Sequence, residues 1–114
     1  MKKRDVNAWV KAWVKALRSG EYEQCRARLH DGKGFCCLGV AIDVLVEGDW
    51  QLGDSDRLYK FGGDFLFPTD QVLDKIGLSS GISAKLAEFN DNGKSFKWIA
   101  SWIERNAHRL NSEK

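Results

Sequence analysis

The chain has 114 residues, of which 43% are hydrophobic, 30% charged and 11% aromatic, and its formal net charge is +2. That length holds a single domain, that balance is the ordinary one for a soluble globular fold, and five Trp with six Phe argue against disorder. No run of about 18 apolar residues is present, which excludes a transmembrane helix, and a charge of +2 does not by itself imply a nucleic-acid partner.

The basic start, Met1-Lys2-Lys3-Arg4-Asp5, is followed by a charged amphipathic stretch where a signal peptide would have an apolar core. Cys25, Cys36 and Cys37 make an odd number with two adjacent, which suits a reducing cytoplasm better than a disulfide scaffold. Charge is unevenly spread. Residues 1–33 sum to +5, residues 41–74 to −6 and residues 75–114 to +3.

Within residues 5–19, Val6, Trp9, Val10, Trp13 and Leu17 keep helical spacing, and Gly20 is placed to end the helix. Lys11, Lys15 and Arg18 form a second stripe, either a solvated face or an anion-binding one. Asp31-Gly32-Lys33-Gly34 reads as a turn, preceded by residues 25–29, which read as a short strand. Residues 36–46 are apolar on almost every side, which predicts a buried central helix.

Residues 47–67, rich in Gly and Asp, read as a long loop with short strands at 57–61 and 65–67. Pro68-Thr69-Asp70 resembles a helix start closed by Gly77, and Ser83 is a candidate cap for a helix ending near Phe89. Asn90-Asp91-Asn92-Gly93 reads as a turn, and Ser95 as the cap of a last helix with Phe96, Ile99, Ala100 and Ile103 on one face. The tail beyond Leu110 reads as frayed. The resulting expectation is an α+β single domain, mainly helical and compact, with a buried central helix, helices 5–19 and 95–107 packed on it, and a small β element between residues 25 and 67.

Chemistry-bearing residues are few. Cys36 or Cys37 at a helix start could be activated as a thiolate, but neither His30 nor His108 has a spacing that implies a paired base, so buried small hydrophobes compete with a thiol enzyme. Cys25, His30, Cys36 and Cys37 lack zinc-site spacing, and Asp49, Asp54, Asp56 and Asp64 lack that of an EF-hand, so no metal or cofactor is expected. Neither phosphate-loop motif occurs, although Asn92-Gly93-Lys94-Ser95 offers backbone N–H groups, an ammonium and a hydroxyl at a helix entry. Arg18, Arg26 and Arg28 with Tyr22 and His30 make a basic patch interleaved with aromatic groups.

Three stretches, residues 16–24 (ALRSGEYEQ), residues 34–40 (GFCCLGV) with Asp43, and residues 86–96 (LAEFNDNGKSF), together resemble a family of small phage and prophage proteins of unsettled function. That family is marked by LRSGxYxQ, FCCLGV and LNDxGxSFxxIAxxIE segments. The chain departs from the pattern with Phe89 in place of Leu and with Trp98 and Trp102 in the last segment. The resemblance implies a viral accessory protein acting in a bacterial cytoplasm.

Such proteins commonly act by binding. The expectation is therefore a non-enzymatic protein that counteracts host defence or metabolism by sequestering an anionic nucleotide-like ligand or by blocking a host protein. For the ligand, Tyr22 would stack, Arg26, Arg28 and Lys94 would meet phosphate with Ser95, and Asn90 would read polar edges. A cysteine-dependent enzyme using Cys36 or Cys37 and a structural or assembly component of a phage particle are the alternatives. Membrane and duplex nucleic acid are not expected as partners. Trp9, Trp13, Trp98 and Trp102 exceed what so small a core holds, which predicts a homodimer or a partner-binding face.

Overall fold

The stripe Trp9, Val10, Trp13, Val14 and Leu17 lies on one face of the first helix, α1 (Val6–Arg18), and is buried along its whole length. Lys11, Lys15 and Arg18 lie on the exposed side, and Gly20, with φ +80°, supplies the left-handed residue that ends such a helix. A computed structural model of the chain describes residues 6–26, 29–46, 50–52, 59–60 and 70–110. Trp9 and Trp13 stack with ring centroids 5.9 Å apart, and both belong to the core. The expectation that these two extend an apolar surface is thereby corrected. One face of α1 absorbs both indoles.

The second helix, α2 (Cys37–Leu45), is capped by Cys36, whose Sγ accepts a hydrogen bond from the Gly39 N–H at 3.4 Å. Trp13 Nε1 donates to the Cys37 carbonyl at 3.0 Å, tying α1 to the start of α2. Residues 37–42 are buried, as expected of a central helix, but Asp43 and Val44 in the last turn are exposed while Leu45 packs on the core. Gly39 is required by close approach: a Cβ there would lie 2.1 Å from the backbone oxygen of Leu29.

Two small strand pairs make up the β content. Strand β1 (Glu23–Gln24) pairs parallel with β2 (Gly34–Phe35), and β3 (Gln51–Leu52) pairs antiparallel with β4 (Tyr59–Lys60). The strand expected at 25–29 is displaced to 23–24, because the Asp31 side chain closes a tight turn, accepting from Lys33 N and Gly34 N at 2.9 and 2.7 Å. That turn leaves the Gly34–Phe35 backbone alongside Glu23–Gln24, and Cys25 N donates to Phe35 O. Strand β4 falls within the expected 57–61. The expected strand at 65–67, the helix-start residues Pro68 and Thr69, the acidic residues Asp49, Asp54, Asp56 and Asp64, and the tail after Leu110 lie outside the described residues.

Helix α3 (Asp70–Ile76) ends before Gly77, and α4 (Ser80–Asp91) is capped by Ser79, whose Oγ accepts from Ile82 N at 3.1 Å. The expected cap, Ser83, is instead buried inside α4, and Asn90 and Asp91, expected in a turn, belong to its last turn. Helix α5 (Phe96–Arg105) begins at the expected cap, with Ser95 Oγ accepting from Trp98 N at 3.1 Å. A 3-10 turn (Ala107–Arg109) follows, and the Leu110 carbonyl accepts from Ser79 N at 3.0 Å.

Helix α1 packs against α2 and α5, α2 against α3 and α4, and α4 against α5. The last helix thus docks chiefly on α1 and α4, a correction to its expected seat on α2. The architecture is α+β, mainly helical and compact, with a Cα radius of gyration of 13.0 Å. No described helix is long and apolar enough to cross a membrane.

Candidate binding surface

The side chain of Asn90 is fully buried, and an amide so placed must find partners inside the protein. Its Nδ2 donates to the Cys25 carbonyl at 2.7 Å, and its Oδ1 accepts from Gln24 Nε2 at 2.8 Å and from Cys37 N at 3.2 Å. The Cys37 N–H is one of the donors at the start of α2 that has no partner within the helix, so Asn90 caps α2 from α4. Gln24 Nε2 also donates to the Lys94 carbonyl at 2.7 Å. The three stretches that carry the resemblance therefore meet here, through Gln24, Cys37 and Asn90. Asn90 is spent on joining them and presents no polar edge to an incoming ligand, which corrects its expected role.

The two adjacent thiols sit beside this joint. Cys36 is 5% exposed and Cys37 is 0% exposed. Burial pushes the Cys36 thiol up to about 11 and the Cys37 thiol well above its ordinary range, and the hydrogen bonds from nearby backbone N–H groups offset only part of that. Cys37 Sγ donates to the Leu86 carbonyl at 3.5 Å, while His30 Nδ1 lies 2.8 Å from the Gly34 carbonyl, which orients its ring toward its own turn. A thiol held protonated by burial is a weak nucleophile. Among the described residues no group of three or more His, Cys, Asp and Glu is arranged to hold a metal.

Tyr22 lies on a second feature, an aromatic layer over the end of α2. Its hydroxyl donates to Asp43 Oδ2 at 2.5 Å, Trp50 Nε1 donates to Asp43 Oδ1 at 3.2 Å, and both carboxylate oxygens are thereby held. Burial, then the bond to Asp43, pushes the Tyr22 phenol up to about 12. His30 stacks on Phe35 at 3.9 Å with an interplanar angle of 3°, while Tyr22 and Trp50 approach Phe35 edge-on at 5.1 and 5.7 Å. Tyr22 is thus fastened at both its ring and its hydroxyl.

The third feature is a row of rings along α4 and α5. Phe89 meets Trp98 at 5.0 Å and Trp102 at 5.2 Å, edge-on in both cases. Lys94 Nζ lies 4.6 Å from the Trp98 ring centroid, and the Arg109 guanidinium lies 5.8 Å from that of Trp102. Trp98 is 36% exposed, one of two large apolar side chains exposed to that extent among the described residues. Ser95 lies beside Lys94 and is exposed, although its Oγ is engaged as the cap of α5.

Of the expected ligand residues, the fold brings Asn90 and Lys94 together through Gln24, leaves Arg26 exposed two residues beyond Gln24, and fastens Tyr22 to Asp43. Arg28 lies outside the described residues. Arg18, from the same basic patch, is taken up by α5: Nη2 bonds Glu104 Oε1 at 2.7 Å and Ser101 Oγ at 3.1 Å. That bond raises the arginine pKa and lowers that of the glutamate.

Gln24, Asp43, Phe89, Trp102 and Arg109 are absent from the expected set. A signal for the ring row was nevertheless present, since Phe89, Trp98 and Trp102 are the three departures from the resembled pattern. A family model described as a domain of unknown function (DUF8296) matches residues 6–80. No curated protein and no solved structure matches the chain.

Proposed function

We propose that this chain, which belongs to the DUF8296 family of domains of unknown function, is a non-catalytic binding protein that captures an anionic, nucleotide-like ligand at the corner formed by Lys94 and Trp98. One observation carries the reading: an ammonium 4.6 Å from the centroid of an indole that is itself 36% exposed. The exposed part of that indole is apolar area from which the fold gains nothing, and a planar ring laid on it, with the Lys94 ammonium moved aside to its phosphate, recovers that area. The adjacent ammonium supplies the charge that a phosphate or sulfate group requires. Ser95 adds an exposed hydroxyl next to Lys94, and Gln24 links the β1 side to Lys94.

The wider role follows from the resemblance to small phage proteins: a viral accessory protein in a bacterial cytoplasm that removes a host ligand used in defence or metabolism. Three free cysteines, all buried, are compatible with a reducing compartment. The thiol-enzyme reading has the less favourable geometry, because burial raises both adjacent thiols and His30 turns to its own backbone.

Native mass spectrometry of the protein purified from bacterial cells, before and after denaturation, tests the reading. A stoichiometric adduct of nucleotide mass that is lost on denaturing supports it and gives the mass of the ligand. A clean mass, together with unchanged Trp fluorescence when nucleoside mono- and triphosphates are added, overturns it and points to a host protein as partner. The same spectrum reports whether the chain is a monomer, a homodimer or a polymer of the kind an assembly component would form.

A further inference from the structure

The ring row has a length, and a cation at each end. From Lys94 through Trp98, Phe89 and Trp102 to Arg109, the side chains run cation, three rings, cation across α4, α5 and the 3-10 turn. A mononucleotide needs one ring and one cation, and this surface carries more. Trp98 and Trp102 stand one turn apart on α5, an axial offset of about 6 Å at 1.5 Å per residue. That offset exceeds the roughly 3.4 Å stacking repeat of a duplex strand and suits bases that have been drawn apart.

We infer that this row binds single-stranded nucleic acid, with consecutive bases against Trp98 and Trp102 and the strand's phosphates near Lys94 and Arg109. The inference rests on the proposed reading of Lys94 and Trp98 and extends it from a mononucleotide to a strand. Accessible aromatic rings beside cations are the general means of holding single strands without reading their sequence, because every base has a π-face; here Trp98 is exposed and Trp102 half-buried.

The charge agrees. Residues 80–110 carry five basic and three acidic side chains, and one of the acidic ones, Glu104, is already paired with Arg18. Half-buried Arg109 also has its Nε buried with no hydrogen-bond partner among the described residues, so part of its desolvation has occurred before any phosphate arrives. A duplex would keep its bases stacked and offer the rings nothing, and a net charge of +2 over the chain is small for a duplex footprint.

The test uses the full chain, freed of co-purifying nucleic acid by nuclease and high salt. Trp fluorescence and anisotropy are read against thymidine monophosphate, an oligothymidylate of about ten nucleotides and the corresponding duplex, a length within the range single-strand modules cover. The oligothymidylate is expected to bind at least about tenfold more tightly than the monophosphate, to quench Trp emission and to weaken as salt rises. Trp98→Ala is expected to weaken it about tenfold to a hundredfold, the range for loss of one stacked base.

Lys94→Ala and Arg109→Ala are each expected to lower the salt slope by about one. A thermal melt of every variant separates loss of binding from loss of fold, and Lys94→Ala keeps the test open if Trp98→Ala melts early. A monophosphate that binds as well as the strand overturns the inference and leaves the mononucleotide reading standing. Equal binding of duplex, or full binding by folded Trp98→Ala, also overturns it. If neither monophosphate nor strand binds, both readings fall, and an acidic protein surface becomes the ligand to test.

Discussion

Replacing Asn90 by Ala separates a scaffold residue from a ligand-reading one. The side chain is 0% exposed and makes three hydrogen bonds, at 2.7, 2.8 and 3.2 Å, to Cys25, Gln24 and Cys37. Truncation removes the amide donor to the Cys25 carbonyl and the acceptor of the Cys37 N–H. Gln24 retains the Lys94 carbonyl as a partner. Losing a buried hydrogen bond costs about 1–3 kcal/mol, so the two lost bonds together with the small cavity give about 3–5 kcal/mol, a large fraction of the stability of a small domain.

For a chain of this length that corresponds to a fall in melting temperature of roughly 12–20 °C. Denaturant unfolding followed by far-ultraviolet circular dichroism and Trp fluorescence measures it, with an unchanged m-value showing that the loss lies in stability. Asn90→Asp sharpens the test. The buried carboxyl has its folded pKa raised above the unfolded value of about 3.9, so stability is retained below that value, where the protonated group can still donate to Cys25 O, and is lost as pH rises. An Asn90→Ala variant within about 1 kcal/mol of the parent, yet defective in ligand binding, would refute the scaffold reasoning and restore Asn90 to the binding surface.

Gly39→Ala forces a Cβ to within 2.1 Å of the Leu29 carbonyl oxygen, a backbone atom that itself accepts from Cys36 N, so the crossing must open. Overpacking against the Leu29 backbone outweighs the gain of about 1 kcal/mol in helix propensity, and a net loss of about 3 kcal/mol is expected in a thermal melt. Ser83→Ala should act in the opposite direction, by about 1 kcal/mol, because the buried Ser83 Oγ has no hydrogen-bond partner among the described residues and alanine suits a helix better. Equal or lower stability would show that the hydroxyl is satisfied. The Tyr22 phenol, pushed up to about 12, titrates above its unfolded value of about 10; its contribution is therefore fully present below pH 10 and lost between about pH 10 and 12. Tyr22→Phe should abolish that part of the alkaline loss, read as the difference between the two unfolding profiles.

What was legible in the sequence was what depends on near neighbours. The stripe of α1, the apolar run of α2 and the Ser95 cap follow from periodicity and local hydrogen bonding, and each lies where its residues imply. Ser79 and Ser83 have the same capping chemistry, and the choice between them was made by tertiary contact: the chain at Ser79 is held by the Leu110 carbonyl, which places Ser83 in the core. Asn90 looked like a turn residue because its helical partners are supplied by Cys25 and Cys37, more than fifty residues away. The aromatic layer of Tyr22, His30, Phe35 and Trp50 has no period at all. Phe35 comes from β2, Tyr22 and Trp50 from the residues preceding β1 and β3, and His30 from the edge of the Asp31 turn. Sequence order cannot show such a cluster.

The docking of α5 on α1 has a consequence during synthesis. Helix α1 leaves the ribosome before α5 and finds α2 within some twenty residues, but its other neighbours, α5 and the 3-10 turn, are still unmade. About eighty residues separate the end of α1 from the start of α5, which at the usual rate of translation is roughly 4–16 seconds. Over that interval part of the tryptophan-bearing helix has only solvent, or a chaperone, against it. The stretch matched by the family, residues 6–80, ends before α5 begins. A nascent chain stopped at that boundary would have α1 covered by α2 and lacking α5.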